Sequence, residues 1–107
     1  MSKLIYLASP YSHTDRHIRR QRYMLAKRHT IWLLKHNFAV FSPIVYGYYM
    51  DTEVGMNYEH WQTLNDTMVR ACDILEVLPI DGWDTSRGVA HEIALAKRLR
   101  KTIRGIP

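Results

Sequence analysis

The segment LPIDGWDTSRGVAHEIALAKRL, residues 78–99, contains a carboxylate in an unusual place. Wound as a helix from Ser86 onward, it sets Glu92 among Gly88, Val89, Ile93, Leu95, Ala96 and Leu99, in the middle of the apolar face. Arg87, His91, Lys97 and Arg98 are expected on the other side. An unpaired carboxylate in an apolar setting costs several kcal/mol or takes up a proton. Glu92 therefore either salt-bridges a neighbour in a core helix or faces a ligand pocket. Gly88, one turn earlier on the same face, would leave room for a ligand.

Other residues could join such a pocket. In "DTS", Asp84, Thr85 or Ser86 can cap the free amides of the following helix, and those amides with the helix dipole also bind anions. Asn65 and Asp66 fall at the margin of an earlier helix's apolar face. Tyr6 lies inside a strand, where a buried hydroxyl needs a partner. His13 and His17 are four apart, but no HExxH arrangement or further ligand cluster accompanies them, so no metal site is expected. Cys72 has no neighbouring base in the sequence and reads as a buried, inert thiol. With no Gly-rich P-loop and no GxGxxG, nucleoside triphosphate and dinucleotide sites of those kinds are unsupported, and no cofactor is implied.

These residues need elements to position them. "KLIYLA" (3–8) predicts a strand ended at "SPYS" by Pro10. His13 to His36 lacks Gly and Pro and predicts a helix, with Thr14 or Ser12 as cap and Asn37 as stop. "FAVFS" (38–42) reads as a short buried-type strand ended by Pro43. Residues 44–56, with Gly47, Gly55 and three tyrosines, read as a long aromatic loop. A helix is expected from Asn57 to Cys72, a third strand at "DILEVLP" (73–79) and a fourth at "KTIRGI" (101–106). The βαβαβαβ order predicts a three-layer α/β fold, flavodoxin- or Rossmann-like, with a mostly parallel sheet of about four strands flanked by helices. Ligands collect at the carboxyl ends of such strands, which here are Ser9–Ser12, Ser42–Tyr49 and Ile80–Ser86.

Composition bounds the rest. The 107 residues, 47% hydrophobic, suit one domain spanning 1–107 with a packed core. No apolar run reaches the roughly 20 residues needed to span a bilayer, and the first residues read as a strand, not a signal peptide. A single cysteine and no secretory signal suggest a reducing, cytoplasmic setting. The net charge of +5 is concentrated between Arg16 and Arg28 and between Lys97 and Arg104. On a helix Arg16, Arg20 and Lys27 share a stripe that Arg22 and Arg28 leave, so a solvated surface is the better reading and nucleic-acid binding the weaker one.

Three stretches, "LIYLASPYS", "LNDTMVRACDILEVLP" and "SRGVAHEIALAKRLRK", resemble the nucleoside 2-deoxyribosyltransferase superfamily, which includes the deoxyribonucleoside 5′-monophosphate N-glycosidases. The resemblance covers most of the chain, except the middle loop, and rests chiefly on S-x-G-V-x-x-E after a D-x-L-x-V-type strand. It implies cleavage or exchange of the N-glycosidic bond of a 2′-deoxynucleoside or its 5′-monophosphate. Glu92 would then be the nucleophile, Asp66 the aspartate assisting protonation of the leaving base and Tyr6 the residue orienting the glutamate. Ser86 would bind a 5′-phosphate, and Gly88 would let the sugar approach. The first loop departs from the family pattern: "SPYS" has no arginine at the place the monophosphate branch uses, which leaves Ser9, Ser12 or Arg16 to compensate, with Asp84 a further substrate-binding candidate. The resemblance also implies a homo-oligomer, a dimer or larger.

Overall fold

The computed structural model describes residues 3–54 and 58–107. Four parallel strands, β1 (Leu4–Ala8), β2 (Ala39–Phe41), β3 (Ile74–Val77) and β4 (Thr102–Arg104), lie in the order β2-β1-β3-β4. Four helices join them: α1 (Arg16–Lys35), α2 (Pro43–Val54), α3 (Tyr58–Ala71) and α4 (Arg87–Arg98). The chain is thus the expected α/β fold with an all-parallel sheet.

The alternation of β1 builds two faces. Tyr6 and Ala8 join Val69 from α3, Cys72 just after it, and Val89, Leu95 and Ala96 from α4, in one buried cluster. Ile5 and Leu7, also fully buried, point to the opposite face. There α1 buries Tyr23, Ala26, Thr30 and Leu33, the three- and four-residue spacing of a helix stripe. The connection after β1 therefore leaves toward one face and that after β3 toward the other. Because β1 and β3 are neighbours, a crevice opens between their carboxyl ends, the usual ligand position in open α/β sheets.

Several local expectations are corrected. Asp15 caps α1, in place of Thr14 or Ser12, its Oδ1 accepting from the His17 N–H at 2.8 Å. Asn37 does stop the helix, in the left-handed region at φ 65°. The expected aromatic loop is largely a helix, α2. Ser42 starts it, its Oγ accepting from Val45 N at 3.2 Å, with Pro43 in the first helical position where its missing N–H is harmless. Residues 55–57, including Gly55 and the expected helix start at Asn57, lie outside the described residues, as do residues 1 and 2. β2 is a half-buried edge strand and not a buried one. Cys72 is buried as expected, its thiol donating to the Val69 carbonyl. Among the described residues no helix is long and apolar enough to cross a membrane, and no group of three or more His, Cys, Asp or Glu could hold a metal.

Candidate active site

The crevice is a cavity of about 760 Å³, within the roughly 300–1,000 Å³ range of small-molecule sites. Glu92, one and a half turns into α4, lines it while only 7% exposed. The hydroxyl of Tyr6, fully buried on β1, donates to Glu92 Oε2. Burial pushes the Glu92 carboxyl up to about 8, the Tyr6 hydrogen bond pulls it down and the charge of Asp66 raises it again. Burial, and then the charge of Glu92, drive the Tyr6 hydroxyl far above the ordinary phenol range. Tyr6 therefore remains a donor throughout the accessible pH range.

A second buried carboxylate provides the comparison. Glu76 on β3 accepts from Arg104 Nε at 2.6 Å and pairs with His29 Nε2 at 2.6 Å. Such a carboxylate is fully accounted for by structure. Glu92, by contrast, has no cationic partner among the described residues and opens on a cavity. The salt-bridged-core explanation of its position is thereby removed.

One side of the cavity suits an anion. Ser86 caps α4, its Oγ accepting from Val89 N at 3.2 Å, and it lines the cavity with Arg87 and Gly88. A side chain at Gly88 would meet no protein atom closer than Ser86 Oγ at 3.8 Å, so the space beside it is open. Arg22 also lines the cavity, its Nη1 donating to the Ser12 carbonyl at 2.9 Å. Its guanidinium packs on Gly82, where φ is +94° and a Cβ would collide with it. A guanidinium and the free amides of a helix N-terminus lining one cavity are a good setting for a phosphate.

The other side is aromatic. Tyr11, Tyr48 and Trp61 line it. Tyr48 stacks on Tyr23 of α1 with ring centroids 3.9 Å apart, and Tyr11 meets it edge-on. The Trp61 indole donates to Asp51 Oδ1 at 2.7 Å and packs so closely on Gly47 that a Cβ there would lie 2.9 Å from the ring. Ser9 and Asn65 also line this cavity, while their Oγ and Oδ1 atoms are buried without a hydrogen-bond partner among the described residues.

The structure thus brings together Glu92, Tyr6, Ser9, Ser12, Ser86 and Gly88. It does not bring Asp84, which is exposed in the turn and does not line the cavity. Asp66 does not line it either; its Oδ1 accepts from His91 Nε2 at 2.8 Å. The reason is packing between α3 and α4, which turns both side chains toward each other. His91, expected on the polar side, is consequently half-buried. Asp66 acts on Glu92 and Tyr6 through its charge. Arg16 stands exposed at the start of α1, and Arg22 supplies the cavity's guanidinium. Arg22, Tyr48 and Trp61 also line the cavity, and no local motif marks them as site residues. Arg22 did leave the cationic stripe of α1, and that was the available signal.

Fold and site together define an α/β protein with a cavity at its sheet's switch point and, in the cavity wall, a buried carboxylate that has no cationic partner among the described residues. The chain belongs to the family described as Domain of unknown function (DUF1937), whose model matches residues 3–105. No curated protein matches it.

Proposed function

We propose that this protein breaks the N-glycosidic bond of a 2′-deoxynucleoside or its 5′-monophosphate, with Glu92 as nucleophile. The observation that carries this reading is Glu92 itself: buried, without a cationic partner among the described residues, held by the Tyr6 hydroxyl and lining a nucleotide-sized cavity. The resemblance of three stretches of the chain to the nucleoside 2-deoxyribosyltransferase superfamily supports the same reading.

In this reaction ionised Glu92 attacks C1′ and forms an ester. The C1′–N bond breaks with its electron pair going to the base, which takes a proton from water. Water then displaces Glu92 to complete hydrolysis, or a second base does so to complete exchange. Positive charge on the sugar ring grows in the transition state, and the carboxylate stabilises it in a site with little competing solvent. The same charge favours ionisation of Glu92. Arg22 and the α4 N-terminus would hold the 5′-phosphate and the aromatic wall would stack the base. Asp66, expected to assist protonation of the leaving base, would contribute through its charge. The family resemblance extends the proposal to a dimer or larger assembly, read by light scattering, and the single cysteine suits a reducing, cytoplasmic setting.

Incubation with a panel of deoxynucleosides and their monophosphates, followed by chromatography of free base, tests the reading. Wild type releases base and Glu92→Gln loses roughly a thousandfold or more. Equal release by the variant, or none by wild type, overturns it.

A second reading, a nucleotide-binding module without chemistry, draws on one observation. With its carboxyl pushed up to about 8, free Glu92 holds a proton at neutral pH and is a hydrogen-bond donor. Thermal stabilisation by nucleotide that survives Glu92→Gln, with no turnover, would select it.

A further inference from the structure

We propose that the outward face of α1 docks on anionic lipid bilayers, its cations meeting the headgroups and its apolar side chains entering the layer beneath them. Between residues 16 and 35 the helix carries seven Lys and Arg residues and not one Asp or Glu. Arg20, Met24, Arg28, Ile31 and Lys35 follow one another at helical spacing on the side opposite the buried stripe of Tyr23, Ala26, Thr30 and Leu33. Arg20, Lys27, Arg28 and Lys35 form no ion pair among the described residues. Among these cations Met24, Ile31, Trp32 and Leu34 are each 42–53% exposed. Large apolar side chains gathered on one exposed face mark an interaction site.

Charge and apolar surface together decide the partner. A second copy meeting α1 across a twofold axis would set cations against cations. Insertion into a partner protein's groove needs a free helix, and the inner face of α1 is committed to the core. Nucleic acid satisfies the cations but offers nothing to Met24, Ile31 and Leu34. Nor can a base stack on Trp32. The rings of His29 and His36 lie within 29° of parallel to the indole, with centroids 6.0 and 4.0 Å away. They are about 10 Å apart along the helix, so they take opposite faces of the indole and leave its edge exposed. An anionic bilayer supplies both a field that draws Lys and Arg and an apolar layer for side chains set shallowly into it. Tryptophan is itself enriched at that interface. Among the described residues no helix is long and apolar enough to cross a membrane, so the contact is peripheral.

Sedimentation with sucrose-loaded vesicles tests this on the intact protein. Wild type is expected to sediment with phosphatidylcholine vesicles containing about 30% phosphatidylserine, and not with phosphatidylcholine alone. Lys27→Glu/Lys35→Glu weakens the association by roughly twentyfold or more, at about fivefold for each cation lost. Ile31→Ser/Leu34→Ser, which touches no charge, weakens it by roughly tenfold or more. Both double variants are checked for an unchanged circular dichroism spectrum. None of the four residues lines the cavity, so the result is independent of the glycosidase reading. No association with either vesicle overturns the proposal, as does equal association with both. Association that survives either double variant also sinks it. So does a single-stranded oligonucleotide bound in preference to the phosphatidylserine vesicles. A dimer, seen by light scattering, that the serine variant dissociates while wild type ignores vesicles would give this face to a second copy instead.

Discussion

The Tyr6 hydroxyl donates to Glu92 Oε2 across 86 positions of sequence, joining the most buried strand to the helix that forms the cavity wall. A phenol in this place differs from an arginine in its consequence. A guanidinium would fix the carboxylate as an anion at every working pH and neutralise its charge. The phenol stabilises the anion only partly, so burial still prevails and Glu92 titrates near neutrality. Glu76, held by Arg104 and His29, shows the alternative arrangement in the same molecule.

Stability follows from that titration. Glu92 has a folded value of about 8 against an ordinary 4.5. Between those values the folded protein binds the proton more tightly than the unfolded chain does, so stability falls as pH rises through this window and levels off above it. Glu92→Gln removes this loss. Urea unfolding of both proteins at pH 5.5 and pH 8.5 is expected to show the variant's relative stability rising by on the order of 2–3 kcal/mol between the two conditions. A pH-independent difference would mean that Glu92 is not buried as described.

Activity carries the opposite pH signature. A nucleophile must be ionised, so kcat/KM is expected to rise with pH through an inflection near 8 in the free protein. Tyr6→Phe deletes the hydrogen bond that lowers the Glu92 value. Its inflection therefore moves upward, and its rate at pH 7 falls more than its rate at pH 9. A uniform loss at both pH values would assign Tyr6 to packing alone.

Much of this arrangement is legible in the sequence because periodicity reports burial. Glu92 stands out on the α4 stripe, and strand alternation with helix-length connections gives the parallel sheet. α2 escaped because Gly47 and its tyrosines read as loop chemistry, although Ser42 and Pro43 supply a cap and a first-turn proline. Its helix is secured by tertiary contacts, Tyr48 on Tyr23 and Gly47 on Trp61, which local propensity does not encode. Asn65 and Asp66 are adjacent at the edge of one apolar face. Only the docking of α4, with His91 meeting Asp66, decides which of them reaches the cavity. Arg22 arrives from a helix on the other face of the sheet, a juxtaposition that no local motif announces.

Phosphate recognition can be separated from chemistry at Gly82. Its backbone occupies the left-handed region, and a Cβ would displace the Arg22 guanidinium. Gly82→Ala is expected to cost about 1 kcal/mol or more of stability. It should also raise KM for a 5′-monophosphate roughly tenfold, with a much smaller change for the matching nucleoside. Steady-state kinetics on the two substrates checks this, and equal losses on both would detach Arg22 from the phosphate.

Opposite responses are expected from the two buried glutamates when each is changed to glutamine. Glu76→Gln leaves the Arg104 guanidinium and His29 facing a neutral amide across the β3–β4 edge. With Arg104 and His29 partly exposed, screening reduces the loss, and about 1–3 kcal/mol of destabilisation is expected at pH 7. Glu92→Gln, which removes a buried carboxyl with no cationic partner among the described residues, is expected to be neutral or stabilising there, the gain growing toward pH 8 and levelling off above it. Base release should respond in reverse: lost in Glu92→Gln, and retained in Glu76→Gln at temperatures where that variant is folded. Thermal melts and base-release assays on the two proteins measure both halves. Destabilisation by both substitutions would give Glu92 the same structural duty as Glu76 and leave the cavity without its nucleophile.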